Sequence, residues 1–319
     1  MRAHPLFALL LLTISAASAD TFTNKEGVSL EGKIVTADLP NGEVTIFVDK
    51  YNKEFPLKIA DLAPESQALI QAWWDEKHPR PADWVQPNAA KTLEFPDLPN
   101  CNHDDSVAAC KIHIPANYDP NKPVPLMVWI AGGKGNHNIG GATSLAGTDD
   151  FVCVALPYPP FEGRDIFDRQ KDGGLAEFWT HHKTMLDAVH KAIPNIDPRL
   201  RAIGGFSNGA HSIAGYLNQV EEDFAETFNV YVFGDGGAYE PDWQRRLQKD
   251  KHAYACWGET SDNKKMTVET ADAAESAGMI VTRSEMADTG HKFIPEEKEK
   301  VKTWLLETVL PARLSSQED

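Results

Sequence analysis

From residue 110 onward the chain returns repeatedly to short runs that are apolar at nearly every position: 110–114, 123–130, 151–156, 202–206, 230–233, 252–257 and 279–283. A strand with one solvated face alternates apolar and polar residues, whereas a run apolar on both faces has to be covered on both. Between these runs lie stretches with a helical period. In residues 174–192, Phe178, Met185, Leu186 and Val189 fall on one face, and a closing helix is expected over 293–309. Strands alternating with helices predict an α/β fold, a mostly parallel, doubly covered sheet built from residues 100–319.

The chain ahead of residue 100 reads differently. Arg2, an apolar run from Leu6 to Ile14 and the small residues Ala17, Ser18 and Ala19 have the layout of a cleaved leader over residues 1–19, which predicts an exported protein, periplasmic or secreted. The apolar run is too short to span a bilayer, and no later segment is long and apolar enough. Residues 20–78 form a unit of their own. Strands are expected over 30–39, 43–50 and 55–59, the first two joined through Pro40, Asn41 and Gly42, and Asn-Gly is a strong hairpin signal. Ala63 and Pro64 then open a helix that carries Leu69, Ile70, Trp73 and Trp74. Three strands and a helix in so few residues predict a small barrel-like β domain. Five prolines between residues 79 and 99 read as a stiff linker.

Composition excludes some partners. The formal net charge of −16 argues against a nucleic acid, since phosphate binding needs concentrated Lys and Arg, and against docking on an anionic membrane. Four cysteines in an exported chain favour a disulfide, and Cys101 and Cys110, flanking a polar loop, are the expected pair. A metal held by Cys101, His103 and Cys110 is the alternative; neither a metal nor an organic cofactor is expected.

The chemistry centres on Gly205-Phe206-Ser207-Asn208-Gly209, where an apolar strand turns directly into a helix. A serine on such a corner is a nucleophile candidate, with the helix N-terminus directed at it. His291 follows the last strand, in the loop region where functional groups of a doubly covered sheet converge. The acid is expected after the preceding strand, at Asp262, with Glu259 in the same loop and Asp235 after residues 230–233 as rivals. Asn208 supplies one backbone N–H for an oxyanion, and the glycine-rich segment 131–136 supplies a second, at Gly133.

Two family resemblances follow from these residues. The order Ser207, acid, His291 resembles the α/β-hydrolase superfamily. Residues 114–128 (Ile-Pro-Ala-Asn-Tyr-Asp-Pro, then Pro-Val-Pro-Leu-Met-Val) and 195–207 resemble the feruloyl esterase and polyhydroxybutyrate depolymerase type. Two departures stand out: Ala131 occupies the position of a usual histidine, and Asp262 stands four residues after Gly258 where three is commoner. The resemblance also implies strand positions that keep Cys153 and Cys256 four strands, about 19 Å, apart, beyond disulfide reach. In the N-terminal unit, Thr23 to Gly27, Val44 to Ile46 and Phe55 to Leu62 resemble the SLA-one homology domain, an SH3-like module; this implies a peptide or protein contact.

The expected function is an exported serine esterase acting through Ser207, His291 and Asp262 on a small-molecule or polysaccharide-linked ester. A serine peptidase with the same triad, or a binding or adhesion protein on a hydrolase fold, are the alternatives.

Overall fold

The computed structural model describes residues 19–314, so all but the last residue of the expected leader lie outside the described residues. They fall into two compact units that divide between Arg80 and Pro81.

The first unit is an antiparallel meander of β1 (Asp20–Thr23), β2 (Ser29–Asp38), β3 (Glu43–Val48) and β4 (Lys53–Lys58), followed by α1 (Pro64–Lys77). Period-two alternation buries Val44, Ile46 and Val48 on one side of β3, where they join Phe22, Leu62 and Ile70 of α1. The β2–β3 turn has Gly42 at φ 70° and is closed by Asp38, which accepts from the Asn41 backbone and side chain. The sheet is not a closed barrel: β1 and β4 are its edges and do not pair. The chain after β4 returns to β1 through the Asn24–Leu62 bridge, flanking backbone bonds and the Ser66 hydroxyl, which accepts from Thr23 N–H at 2.8 Å.

The larger unit is an eight-stranded sheet. In chain order its strands are β5 (Ala90–Glu94), β6 (Ala109–His113), β7 (Val124–Ile130), β8 (Val152–Leu156), β9 (Ile196–Phe206), β10 (Val230–Gly234), β11 (His252–Gly258) and β12 (Ile280–Met286). Its order is β12-β11-β10-β9-β7-β8-β6-β5, parallel from β12 to β8 and antiparallel across β6 and β5. The Pro-rich 79–99 segment is thus more than a linker, since residues 90–94 supply an edge strand.

Nine helices of this unit are described: α2 (Gly140–Ala146), α3 (Ile166–Asp172), α4 (Leu175–Ala192), α5 (Asn208–Gln219), α6 (Glu221–Thr227), α7 (Arg245–Gln248), α8 (Lys264–Ser276), α9 (Pro295–Trp304) and α10 (Leu310–Leu314). A π-helical stretch, Leu305–Val309, joins the last two. The apolar strands divide their side chains between two cores. Leu126, Val128 and Ile130 of β7 pack on the side of α4, α5 and α8, while Met127 and Trp129 pack on the side of α2 and α9. Burial on both faces is why these runs carry no polar alternation.

All four cysteines are free and buried. The expected Cys101–Cys110 bridge is absent: Cys110 points into the core from β6, and the Cys101 thiol instead faces the Val107 carbonyl oxygen at 3.6 Å. Cys153 on β8 and Cys256 on β11 are four strands apart. No cluster of His, Cys, Asp and Glu with metal-binding geometry occurs among the described residues, nor any helix long and apolar enough to cross a membrane.

Candidate active site

β9 runs into α5 through Ser207, which sits at φ 55°, ψ −123°, a conformation that costs a non-glycine residue about 1–3 kcal/mol. Two glycines permit this corner. A Cβ on Gly205 would strike the backbone of Gly209, and one on Gly209 would strike the Ile130 carbonyl oxygen, so strand and helix approach more closely than side chains allow. The Ser207 N–H donates to the Gly234 carbonyl at 2.8 Å, and the Ser207 carbonyl accepts from His211 N–H at 2.9 Å, which fixes the corner from both sides.

β10 ends beside it. Phe206 and Gly234 are register partners, so Ser207 and Asp235 are the next residues of two adjacent parallel strands. Asp235 is fully buried, at φ 47°, with its N–H donating to the Cys256 carbonyl at 2.7 Å. His291, from the loop after β12, lies between the two. Its Nδ1 is 2.7 Å from Asp235 Oδ2 and its Nε2 is 2.8 Å from Ser207 Oγ. A carboxylate only accepts, so Nδ1 carries the hydrogen, Nε2 is the acceptor and the Ser207 hydroxyl donates to it. The imidazole stacks on Phe206, ring centroids 4.8 Å apart.

This corrects the choice of acid. Asp262 is exposed and makes no bond to His291; the inward-facing residue of its loop is Ser261, whose hydroxyl donates to Asp235 Oδ2 at 2.8 Å. Asn263 adds a side-chain bond to the Asp235 carbonyl at 3.0 Å. Glu259 acts on the backbone instead. Its carboxylate accepts from Asp288 N–H at 2.8 Å and so ties down the loop that carries His291. Gly258 lets the two loops meet, because a Cβ there would strike the Gly290 carbonyl oxygen.

The glycine-rich segment also reaches the serine. Gly132 packs so closely that an added Cβ would be 3.0 Å from Ser207 Cβ. Gly133, at φ 60°, accepts through its carbonyl from Asn208 Nδ2 at 3.0 Å. Asn208 is the first residue of α5, so its own backbone N–H has no acceptor within the helix.

Sequence reasoning missed two neighbours. Ser261 carried no signal beyond its place beside Asp262. His211 is 1% exposed on the inner side of α5, with Nδ1 2.7 Å from the Gly237 carbonyl oxygen and its ring 4.4 Å from Phe167. Burial lowers its pKa, the nearby His291 adding to the effect, so it is neutral at pH 7. Its position four residues after Ser207, one helical turn on, was the available clue.

No family model and no curated protein matches the chain. Solved structures do. It is similar to the native form of Est2, an esterase from the Planctomycetes species Thermogutta terrifontis, with a TM-score of 0.50 and 14% identity over 75% of this chain and 97% of that one. It is also similar to YahD solved with malic acid, with a TM-score of 0.45 and 15% identity over 69% of this chain and 99% of that one. With its mainly parallel eight-stranded sheet covered by helices on both faces, the larger unit has the α/β-hydrolase fold.

Proposed function

We propose that this chain is an exported serine hydrolase that cleaves carboxylic esters through Ser207, His291 and Asp235. The observation that carries this reading is the unbroken relay from buried carboxylate to imidazole to a strained, half-buried serine hydroxyl. Ser207 Oγ attacks the ester carbonyl as its proton passes to His291 Nε2, and Asp235 stabilises the imidazolium that forms. The backbone N–H groups of Asn208 and Gly133 hold the oxyanion of the tetrahedral intermediate. As this collapses, the imidazolium gives its proton to the departing alkoxide, leaving an acyl group on Ser207. A water, deprotonated by His291, then attacks that acyl group, releasing the acid and restoring the serine. The leader-like residues 1–19 support export. The Est2 enzyme of the same fold is an esterase by name, in keeping with an ester substrate. In the first unit, the meander with its returning segment supports an SLA-one homology-like module that makes a peptide or protein contact.

Hydrolysis of p-nitrophenyl acetate tests the reading. Ser207→Ala is expected to lower kcat by about 10⁴-fold or more and to abolish labelling by a fluorophosphonate. Turnover that survives Ser207→Ala would sink it.

A further inference from the structure

Away from the catalytic cluster, two strongly polar side chains are buried around one small cavity of about 210 Å³, whose apolar walls include Leu98, Pro159, Pro160 and Phe178. The polar groups are Arg169, 2% exposed, and His181, 4% exposed. Arg169 Nη2 donates to the Phe161 carbonyl oxygen at 2.8 Å, and the guanidinium lies 4.4 Å from the centre of the Phe178 ring. Its Nε is buried without a partner among the described residues, as are both ring nitrogens of His181. The nearest carboxylates, Glu162 and Glu177, stand 3.9 Å from the guanidinium and are 76% and 84% exposed.

Filling this space needs no charge, since two apolar residues would do so at no desolvation cost. Burying a guanidinium and an imidazole with donors left empty is costly unless something supplies the missing acceptor. The two glutamates do not supply it. They are beyond hydrogen-bond reach, and exposed pairs of this kind are worth little, so both can swing aside. A carboxylate would supply the acceptor that Arg169 Nε and the single N–H of a neutral His181 lack, and the flat walls of two prolines and a phenyl ring suit a planar apolar body.

We propose that this cavity binds a small aromatic monocarboxylate, its carboxylate against Arg169 and His181 and its ring between Pro159, Pro160 and Phe178.

Calorimetric titration of the full chain with benzoate, and with benzamide as an uncharged match, tests this. Saturable one-to-one binding of benzoate is expected, with benzamide weaker by about tenfold or more, the worth of a charge-assisted bond. Arg169→Gln and, separately, His181→Phe should each weaken benzoate about tenfold while the thermal melt keeps a single cooperative transition. His181→Phe keeps a planar aromatic ring while removing both nitrogens, so it remains informative if Arg169→Gln does not fold. Equal affinity for benzoate and benzamide, binding that survives both substitutions, or no saturation by about 10 mM benzoate would overturn the proposal. A crystal soaked in benzoate that shows only water between Arg169 and His181 would do the same.

Discussion

Ser207 and Asp235 leave adjacent strands one residue beyond their last register pair, and both adopt positive φ. This places hydroxyl and carboxylate side by side on a rigid edge, so that His291 has only to bridge them. Because Asp235 is fully buried and bonds His291 Nδ1, Asp235→Asn is expected to lower kcat on p-nitrophenyl acetate by about 10⁴-fold, through loss of the correct tautomer and of charge. Asp262→Asn, on an exposed side chain, should stay within about twofold of wild type. The reverse pattern in steady-state kinetics would return the acid to the β11 loop. Ser261 does not touch the reacting atoms; it positions Asp235. Ser261→Ala is expected to lower kcat about tenfold, since a bond to a charged group is lost, with KM little changed and the melting temperature lowered by a few degrees. A loss confined to the melting temperature would reduce Ser261 to a packing residue.

The strand–corner–helix unit of β9 and α5 depends on close backbone approach. Helix propensity alone favours Ala over Gly at position 209 by about 1 kcal/mol. The Ile130 carbonyl oxygen blocks that Cβ, so Gly209→Ala is instead expected to destabilise by about 2 kcal/mol or more in urea unfolding, and to lower activity as Ser207 shifts. A stabilised Gly209→Ala chain would show that strand and helix can part freely. The same unit was legible in the sequence because its apolar residues, glycines and serine each answer to a local constraint. Other elements were not. α8 buries Thr267, Thr270, Ala271 and Ala274, a face too small and polar to show a hydrophobic period. β5 is an exposed edge strand, Ala-Lys-Thr-Leu-Glu, concealed among prolines. The choice of acid turned on which residue of the 259–263 loop faces inward, which depends on tertiary packing such as the close approach of Gly258 to Gly290. Ser207, His291 and the segment 131–136 follow strand ends and were readable from order alone.

For the molecule as a whole, buried imidazoles set a limit in acid. His182 is fully buried; its Nε2–H donates to the Pro157 carbonyl at 2.7 Å, and its Nδ1 accepts from the Tyr216 hydroxyl at 3.0 Å, an arrangement that requires a neutral ring. Burial lowers its pKa to about 3, and that of His181 to about 4. Below an unfolded value near 6.5 the unfolded chain takes up protons that the folded chain refuses. Stability is therefore present above pH 6.5 and falls as pH drops, by up to about 1.4 kcal/mol per pH unit for each group. Urea unfolding at pH 7, 6 and 5 should show this decline, and His182→Gln should flatten it. Equal unfolding free energies at pH 7 and 5 would mean that both rings reach water in the native state.

The four enclosed thiols have a consequence of a different kind. Burial raises the pKa of Cys110 and Cys153 to about 12 and raises that of Cys256 as well, so these sulfurs are poor nucleophiles for exchange. Nothing covalent ties one part of the larger unit to another. The chain can reach its fold without an oxidant, a disulfide isomerase has no bond to shuffle, and added reductant should leave its melting curve where it was.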